Sequence, residues 1–181
     1  NAVIDEATTV TASTTATTAQ AATIAAFEQA VVYNVSGTAA EIVAASAGAR
    51  NEAVNITITG DATIAQATTA EDASNSGTVT VGTISDTAAL ISASTNDVIT
   101  NSAGAVTAST AATIAQAANI DGFAKAVVFA VSDTAEAIAG SSNAVIDEAT
   151  TVTASTTATT AQAATIAAFE QAVVYNVSGT A

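Results

Sequence analysis

Residues 126–140 read Ala-Val-Val-Phe-Ala-Val-Ser-Asp-Thr-Ala-Glu-Ala-Ile-Ala-Gly, and the pattern changes period halfway through. Val127, Phe129 and Val131 alternate with Val128, Ala130 and Ser132, as in a β-strand with one apolar face. From Ser132-Asp133-Thr134 onward the spacing becomes helical, with Ala135 and Ile138 on one side. The side-chain oxygens of Ser132 and Asp133 are expected to cap that helix, because they can accept the unpaired N–H groups of its first turn. A strand running straight into a short helix is the unit this stretch defines.

The unit recurs. Val31, Tyr33 and Val35 alternate with Val32, Asn34 and Ser36, and Ala39 and Ile42 follow as the inward helical pair. Ser85-Asp86-Thr87-Ala88 opens another copy, with Ser85 and Asp86 as caps and Ala88 and Ile91 inward. Between these units lies a second motif, Ala-Gln-Ala, at 19–21, 65–67, 115–117 and 161–163, with spacings of 46, 50 and 46. Strands are expected before it, at Val10–Ser13, Asn55–Gly60 and Val106–Ser109. The helix that carries it places Ala16, Ala19, Gln20, Ile24 and Phe27 on one stripe, matched by Ala112, Ala115, Gln116, Ile120 and Phe123. Gly48, Asn51, Asn75, Gly77, Asn96, Asn101, Gly104, Gly140 and Asn143 read as helix breakers that return the chain to the next strand.

Residues 1–39 reappear without a change as residues 143–181. The 142-residue period divides into repeats at 1–50, 51–95 and 96–142, and 143–181 is a partial copy of the first. The chain begins with Asn1 and stops within a repeat, which reads as a segment of a longer protein. Two strand–helix units per repeat give six per period, or about 24 residues each, within the range of solenoid coils. The expected fold is α/β, one continuous right-handed parallel solenoid of such coils. The alternative is a parallel β-helix, in which the Thr-rich helical segments are further strands, since Thr is a poor helix former. A coil of about 24 residues sets Val31–Ser36 beside Val10–Ser13; a coil of about 47 would set it across the core.

Composition narrows function. Among 181 residues there is no His, Cys, Met, Trp or Pro, and the net charge is −14 with two cations, Arg50 and Lys125. That removes Ser-His-Asp triads, thiol nucleophiles, zinc sites and haem ligands. Phosphate backbones would be repelled, so no nucleic-acid partner is expected. No apolar run approaches the roughly 18 residues of a membrane span. Half of the chain is hydrophobic but only 3% is aromatic, which suits a thin core repeated along an axis rather than a thick globular one.

Val-Ser-Asp-Thr-Ala-Glu-Ala-Ile-Ala (131–139) and Asp-Ala-Thr-Ile-Ala-Gln-Ala-Thr-Thr (61–69) resemble the tandem repeats of giant cell-surface proteins of cyanobacteria and proteobacteria, the haemolysin-like "beta strand repeat" proteins. The resemblance implies an extracellular, non-catalytic array with a structural, adhesive or surface-layer role. Relatives of that kind carry Gly-Gly-x-Gly-x-Asp calcium repeats, and none occurs here.

Candidate sites follow from recurrence. Gln20, Gln66, Gln116 and Gln162 offer a polar recognition ladder or, more simply, amides bonded to backbone or to one another inside the stripe. The paired carboxylates Asp5-Glu6, Asp147-Glu148 and Glu71-Asp72 read as solvated charge. Asp5, Glu6, Asp147 and Glu148 are the calcium candidates, although calcium needs about six converging oxygens. No catalytic residue and no other cofactor is expected. Phe27, Phe123, Phe169, Tyr33, Phe129 and Tyr175 read as core stacking, with Ala73 and Gly82 thinning the second repeat. Asn34-Val35-Ser36, Asn55-Ile56-Thr57 and Asn176-Val177-Ser178 match the glycosylation pattern but lie in expected strands. Thr57, Thr59, Thr78 and Thr80 form a Thr-x-Thr pattern of the ice-binding type. The expected function is a structural segment of a long extracellular repeat protein, forming a fibre, surface coat or adhesin stalk. Its expected partners are further copies of itself, end to end or side by side, with divalent cations or surface glycans. The alternative is a solenoid binding module for glycan, ice or a partner protein.

Overall fold

A computed structural model of the chain describes residues 6–179. The chain forms two compact units, one running to Ile84 and including Asn101–Gly104, the other comprising Ser85–Thr100 and Ala105 onward.

In the first unit β1 (Val10–Thr11) is followed by α1 (Thr18–Ile24), β2 (Val31–Val32), β3 (Val35–Thr38), α2 (Ala39–Ala44), α3 (Ala47–Asn51), β4 (Ile56–Ala62), α4 (Ile64–Glu71) and most of β5 (Val79–Asp86). Every pairing is parallel. Val10 lies opposite Val31, Val35 opposite Ile56, and Ile56 opposite Val79, so the chain returns to its neighbour after 21, 21 and 23 residues. The strand at Val31 thus lies beside the one at Val10, as the shorter return requires. Helix α1 packs on α3, and α2 on α4.

The second unit carries α5 (Ala88–Ser92), α6 (Asn96–Thr100), β6 (Val106–Ala108), α7 (Ile114–Asp121), β7 (Val127–Val128), β8 (Val131–Asp133), α8 (Ala135–Ala139), α9 (Asn143–Asp147), β9 (Val152–Ala154), α10 (Thr160–Ile166) and β10 (Val173–Val174). Val106 faces Val127, Val131 faces Val152, and Val152 faces Val173, again parallel and 21 residues apart. Helix α5 packs on α7, α7 on α9, and α8 on α10. Among the described residues the fold is mixed α/β with parallel sheets, and no sheet closes into a barrel.

The period-two reading places the strand side chains correctly. Tyr33, Val35, Val127, Phe129 and Val131 are buried, whereas Val32 and Val128 face out. The inward pairs Ala39/Ile42, Ala88/Ile91 and Ala135/Ile138 are all buried. The Thr-rich segments are helices, not further strands, because their threonines either cap or turn back on the helix. Thr69 Oγ1 donates to the Ala65 carbonyl at 2.9 Å, and Thr23 Oγ1 to that of Ala19 at 3.3 Å.

Three expectations need correction. First, the caps of α5 and α8 are Thr87 and Thr134, not Ser85, Asp86, Ser132 or Asp133; α2 is likewise capped by a threonine, Thr38. Asp133 instead bridges, its Oδ1 accepting from Thr134 N–H at 2.7 Å and its Oδ2 from Ile114 N–H at 2.9 Å. Second, the stripe of α1 holds only in part: Ala16, Ala112 and Ile120 are buried as expected and Ile24, Phe27 and Phe123 half-buried, but Ala19, Gln20 and Ala115 are exposed and Ala21 is buried. The matching helices bury Ala67 and Ala70, and Ala117 and Ile120. Third, several residues read as breakers lie inside helices: Gly48 and Asn51 in α3, Asn96 in α6, Asn143 in α9. Each of these short helices buries its own apolar residues, namely Ala49, Val98 with Ile99, and Val145 with Ile146. Tertiary burial overrides their weak local propensity.

Glycine has a defined task at one place. Gly60 takes φ +77° inside β4, where the register with β5 shifts between Ile58 and Asp61. A Cβ on Gly82 would fall 2.5 Å from the Gly60 carbonyl oxygen, and one on Gly104 2.8 Å from that of Gly82. The three backbones stack with no room for a side chain between them, so the second repeat is tight at Gly82 rather than loose.

Candidate functional site

Recurrent polar residues are the first candidates, and the structure gives them local work. Thr17, Thr63, Thr113 and Thr159 are N-caps, and Gln20, Gln66, Gln116 and Gln162 are their third helical residues. In each, the glutamine Oε1 accepts from the threonine backbone N–H at 2.9–3.0 Å while the threonine Oγ1 accepts from the glutamine N–H at 3.3 Å. These are reciprocal capping boxes. The glutamines therefore sit at helix starts, exposed or half-buried, each bonded to the backbone of its own cap rather than to one another in a buried ladder. The pattern Thr-x-x-Gln was readable as a helix start. Thr38 and Glu41 make the same box, and the bonds from Thr38 N–H and Oγ1 hold the Glu41 carboxyl below the usual glutamate range.

A side-chain ladder does exist, built from asparagine. Asn34 Oδ1 accepts from Asn55 N–H at 3.1 Å and from Asn55 Nδ2 at 2.9 Å. Asn55 Oδ1 in turn accepts from Thr78 N–H at 2.9 Å and Thr78 Oγ1 at 3.1 Å. The residues are 21 and 23 positions apart and occupy equivalent places before successive strands. The glycosylation-type asparagines Asn34 and Asn55 are thus members of a structural ladder.

Charged residues are dispersed. Asp5 lies outside the described residues, and Glu6 is exposed. Asp147 and Glu148 close α9 and are exposed, with Asp147 Oδ1 accepting from Gln171 N–H at 3.3 Å. Glu71 accepts from Asn101 Nδ2 at 2.8 Å, and its neighbour Asp72 is the exposed C-cap of α4. Among the described residues no three acidic groups converge as a metal site would need. Arg50 donates to the carbonyls of Ile42 (3.2 Å), Val43 (3.1 Å) and Ala45, so it caps the C-terminal end of α2.

The aromatic residues divide into two groups. Tyr33 and Phe129 are buried, while Phe27, Phe123 and Phe169 are half-buried. Tyr33 Oη donates to the Ala49 carbonyl at 2.9 Å, and burial, aided by nearby Glu52, pushes its phenol pKa up. The Thr-x-Thr residues Thr57 and Thr80 pair in register, half-buried, on neighbouring strands.

The duplicated sequence isolates the most informative surfaces. Val35 is 1% exposed and its duplicate Val177 is 50% exposed. Tyr33 is buried and Tyr175 half-buried. At two other positions the asymmetry reverses: Val152 and Ile166 are buried, whereas their duplicates Val10 and Ile24 are half-buried; Ala21 is buried and its duplicate Ala163 half-buried. The same residue therefore differs in burial between its two copies, as Val35 and Val177 show.

No protein-family model, no curated protein and no solved structure matches this chain. Among the described residues no helix is long and apolar enough to cross a membrane.

Proposed function

We propose that the chain is a structural, non-catalytic segment of a long extracellular tandem-repeat protein, akin to the repeats of bacterial cell-surface arrays. In this reading strand–helix coils of about 24 residues stack as a right-handed parallel solenoid, each completed by its neighbours. One observation supports the reading: within the duplicated sequence, Val10/Val152, Ile24/Ile166 and Val35/Val177 differ in burial between their two copies, as expected where each coil is completed by its neighbours. The net charge of −14 keeps such rods apart until divalent cations bridge them, and the place of action is a fibre, coat or stalk outside the cell.

The test is length. Chains carrying one, two and four 142-residue periods are compared by electron microscopy and small-angle scattering. Six coils per period at the strand spacing of about 4.8 Å lengthen the particle by roughly 29 Å per period at constant width. Particles that thicken, or that gain only about 14 Å per period, refute the stacked-coil reading.

A further inference from the structure

At three returns into a strand, before Val31, Val79 and Val127, the coil leaves an open cavity, of about 370, 360 and 220 Å³ respectively. The first is lined by Phe27, Glu28, Ala30, Val31 and Glu52. The third has Phe123, Ala126, Val127 and Glu148, each 96 residues on from its counterpart, with Asp121 as its second carboxylate. The middle one has Ala73 in place of the ring, and its Glu71 carboxylate accepts from Asn101 Nδ2 at 2.8 Å. The opening does not come from a chain end. In the third repeat the preceding coil reaches the same turn, Asn96 Oδ1 accepting from Ala124 N–H at 2.9 Å, and Glu148 closes the following one; the cavity stays open between them.

One position separates the two aromatic cavities. Lys125 lines the third, half-buried, and its counterpart 96 residues earlier is Gln29. Lys125 and Arg50 are the only lysine and arginine of the chain, and Arg50 is engaged with the carbonyls at the end of α2. The first cavity therefore has the phenyl ring and both carboxylates but, among the described residues, no cation in its lining. Glu52 is, moreover, the C-cap of α3, where negative charge opposes the helix dipole, so helix stability does not account for it.

We propose that the first cavity binds a primary alkylammonium, with its charge between Glu28 and Glu52 and its apolar stem against Phe27 and Val31. A ligand brings here what Lys125 brings to the third repeat. The donor and acceptor chemistry agrees. An ionised carboxylate only accepts and an ammonium only donates, and a phenyl face attracts a cation besides covering an alkyl stem. A bare divalent ion is served poorly, because calcium needs about six oxygens and, among the described residues, no three acidic groups converge. The site lies inside one compact unit, and it stands or falls independently of the fibre reading.

The experiment uses the intact 181-residue chain, isotope-labelled and titrated with butylammonium chloride at constant ionic strength under NMR observation. Saturable shifts with a millimolar Kd are expected at the amides of residues 27–31 and 52, and none with butanol in its place. Glu52→Gln removes one charge, and Gln29→Lys supplies the cation from the chain itself, as in the third repeat. Each should weaken binding about tenfold while circular dichroism is unchanged. Asp97→Asn removes an equal charge from an exposed residue outside the cavity and should leave the affinity as it was. Nα-acetyl-lysine methylamide tells the source. Binding as tight as that of butylammonium points to lysine side chains of a partner protein, and binding of butylammonium alone points to free amines. Shifts spread evenly over the acidic residues, equal binding of butanol, unchanged affinity in Glu52→Gln or Gln29→Lys, or an equal loss in Asp97→Asn overturns the proposal.

Discussion

Truncating Val35 and Val177 to alanine makes the same change in the same local sequence, so any difference between them is tertiary. Val35 is 1% exposed; Val35→Ala removes two methylene equivalents, worth about 1.6 kcal/mol of transfer free energy. The void left among packed neighbours adds about 1 kcal/mol, so the loss is about 2–3 kcal/mol. Val177 is half exposed and leaves no enclosed void, so its truncation should cost about 0.5–1 kcal/mol. A difference of about 2 kcal/mol corresponds to roughly 1 M in the urea midpoint for a slope of about 2 kcal/mol/M. The assay is urea unfolding by far-ultraviolet circular dichroism, at concentrations low enough to keep the chain monomeric. A mirror pair guards against one copy being weaker throughout. Ile166 is buried and its duplicate Ile24 half-buried, so Ile166→Ala should cost about 3 kcal/mol and Ile24→Ala about half that. The more sensitive copy therefore switches between the two pairs. Equal losses within each pair, or the same copy being more sensitive in both, would refute the claim that neighbouring units complete each face.

Three further outcomes are expected. Thr113→Ala removes one half of a capping box and should lower stability by about 1 kcal/mol, measured by thermal or urea unfolding, whereas Thr113→Ser should retain most of it. Gly82→Ala drives a methyl into the Gly60 carbonyl and should cost about 3 kcal/mol or more, while alanine at Gly48, which has only ordinary contacts, should be tolerated. In a Tyr175→Phe chain, Tyr33 is the only phenol and should ionise above the ordinary tyrosine value, read by phenolate absorbance. Because the folded-state value is raised, the associated stability is complete below the ordinary tyrosine pKa and is lost as pH climbs through the folded value.

What could be read from sequence depended on whether the signal was local. The alternation through Val127, Phe129 and Val131, and the Ala–Ile pairs behind each Ser-x-Thr-Ala, state their own inner faces, and the structure buries them. The Thr-x-x-Gln boxes were equally local, but apolar spacing drew the glutamines onto the wrong face. The helix Asn96–Thr100 was hidden because asparagine and threonine argue against it, and only burial of Val98 and Ile99 supports it. The different burial of Val35 and Val177 is not written in the 39 residues they share.

The constant return of 21–23 residues also bears on how the chain comes to fold. Closing a loop of that size carries a length-dependent entropy of about 2.7 kcal/mol, against about 4.4 kcal/mol for a contact spanning a whole 142-residue period. The smaller cost does not grow as periods are added, so sequence separation between contacts stays low however long the polypeptide becomes. Each strand needs only the next two dozen residues to leave the ribosome before it can pair, and structure can spread behind synthesis without waiting for a distant partner.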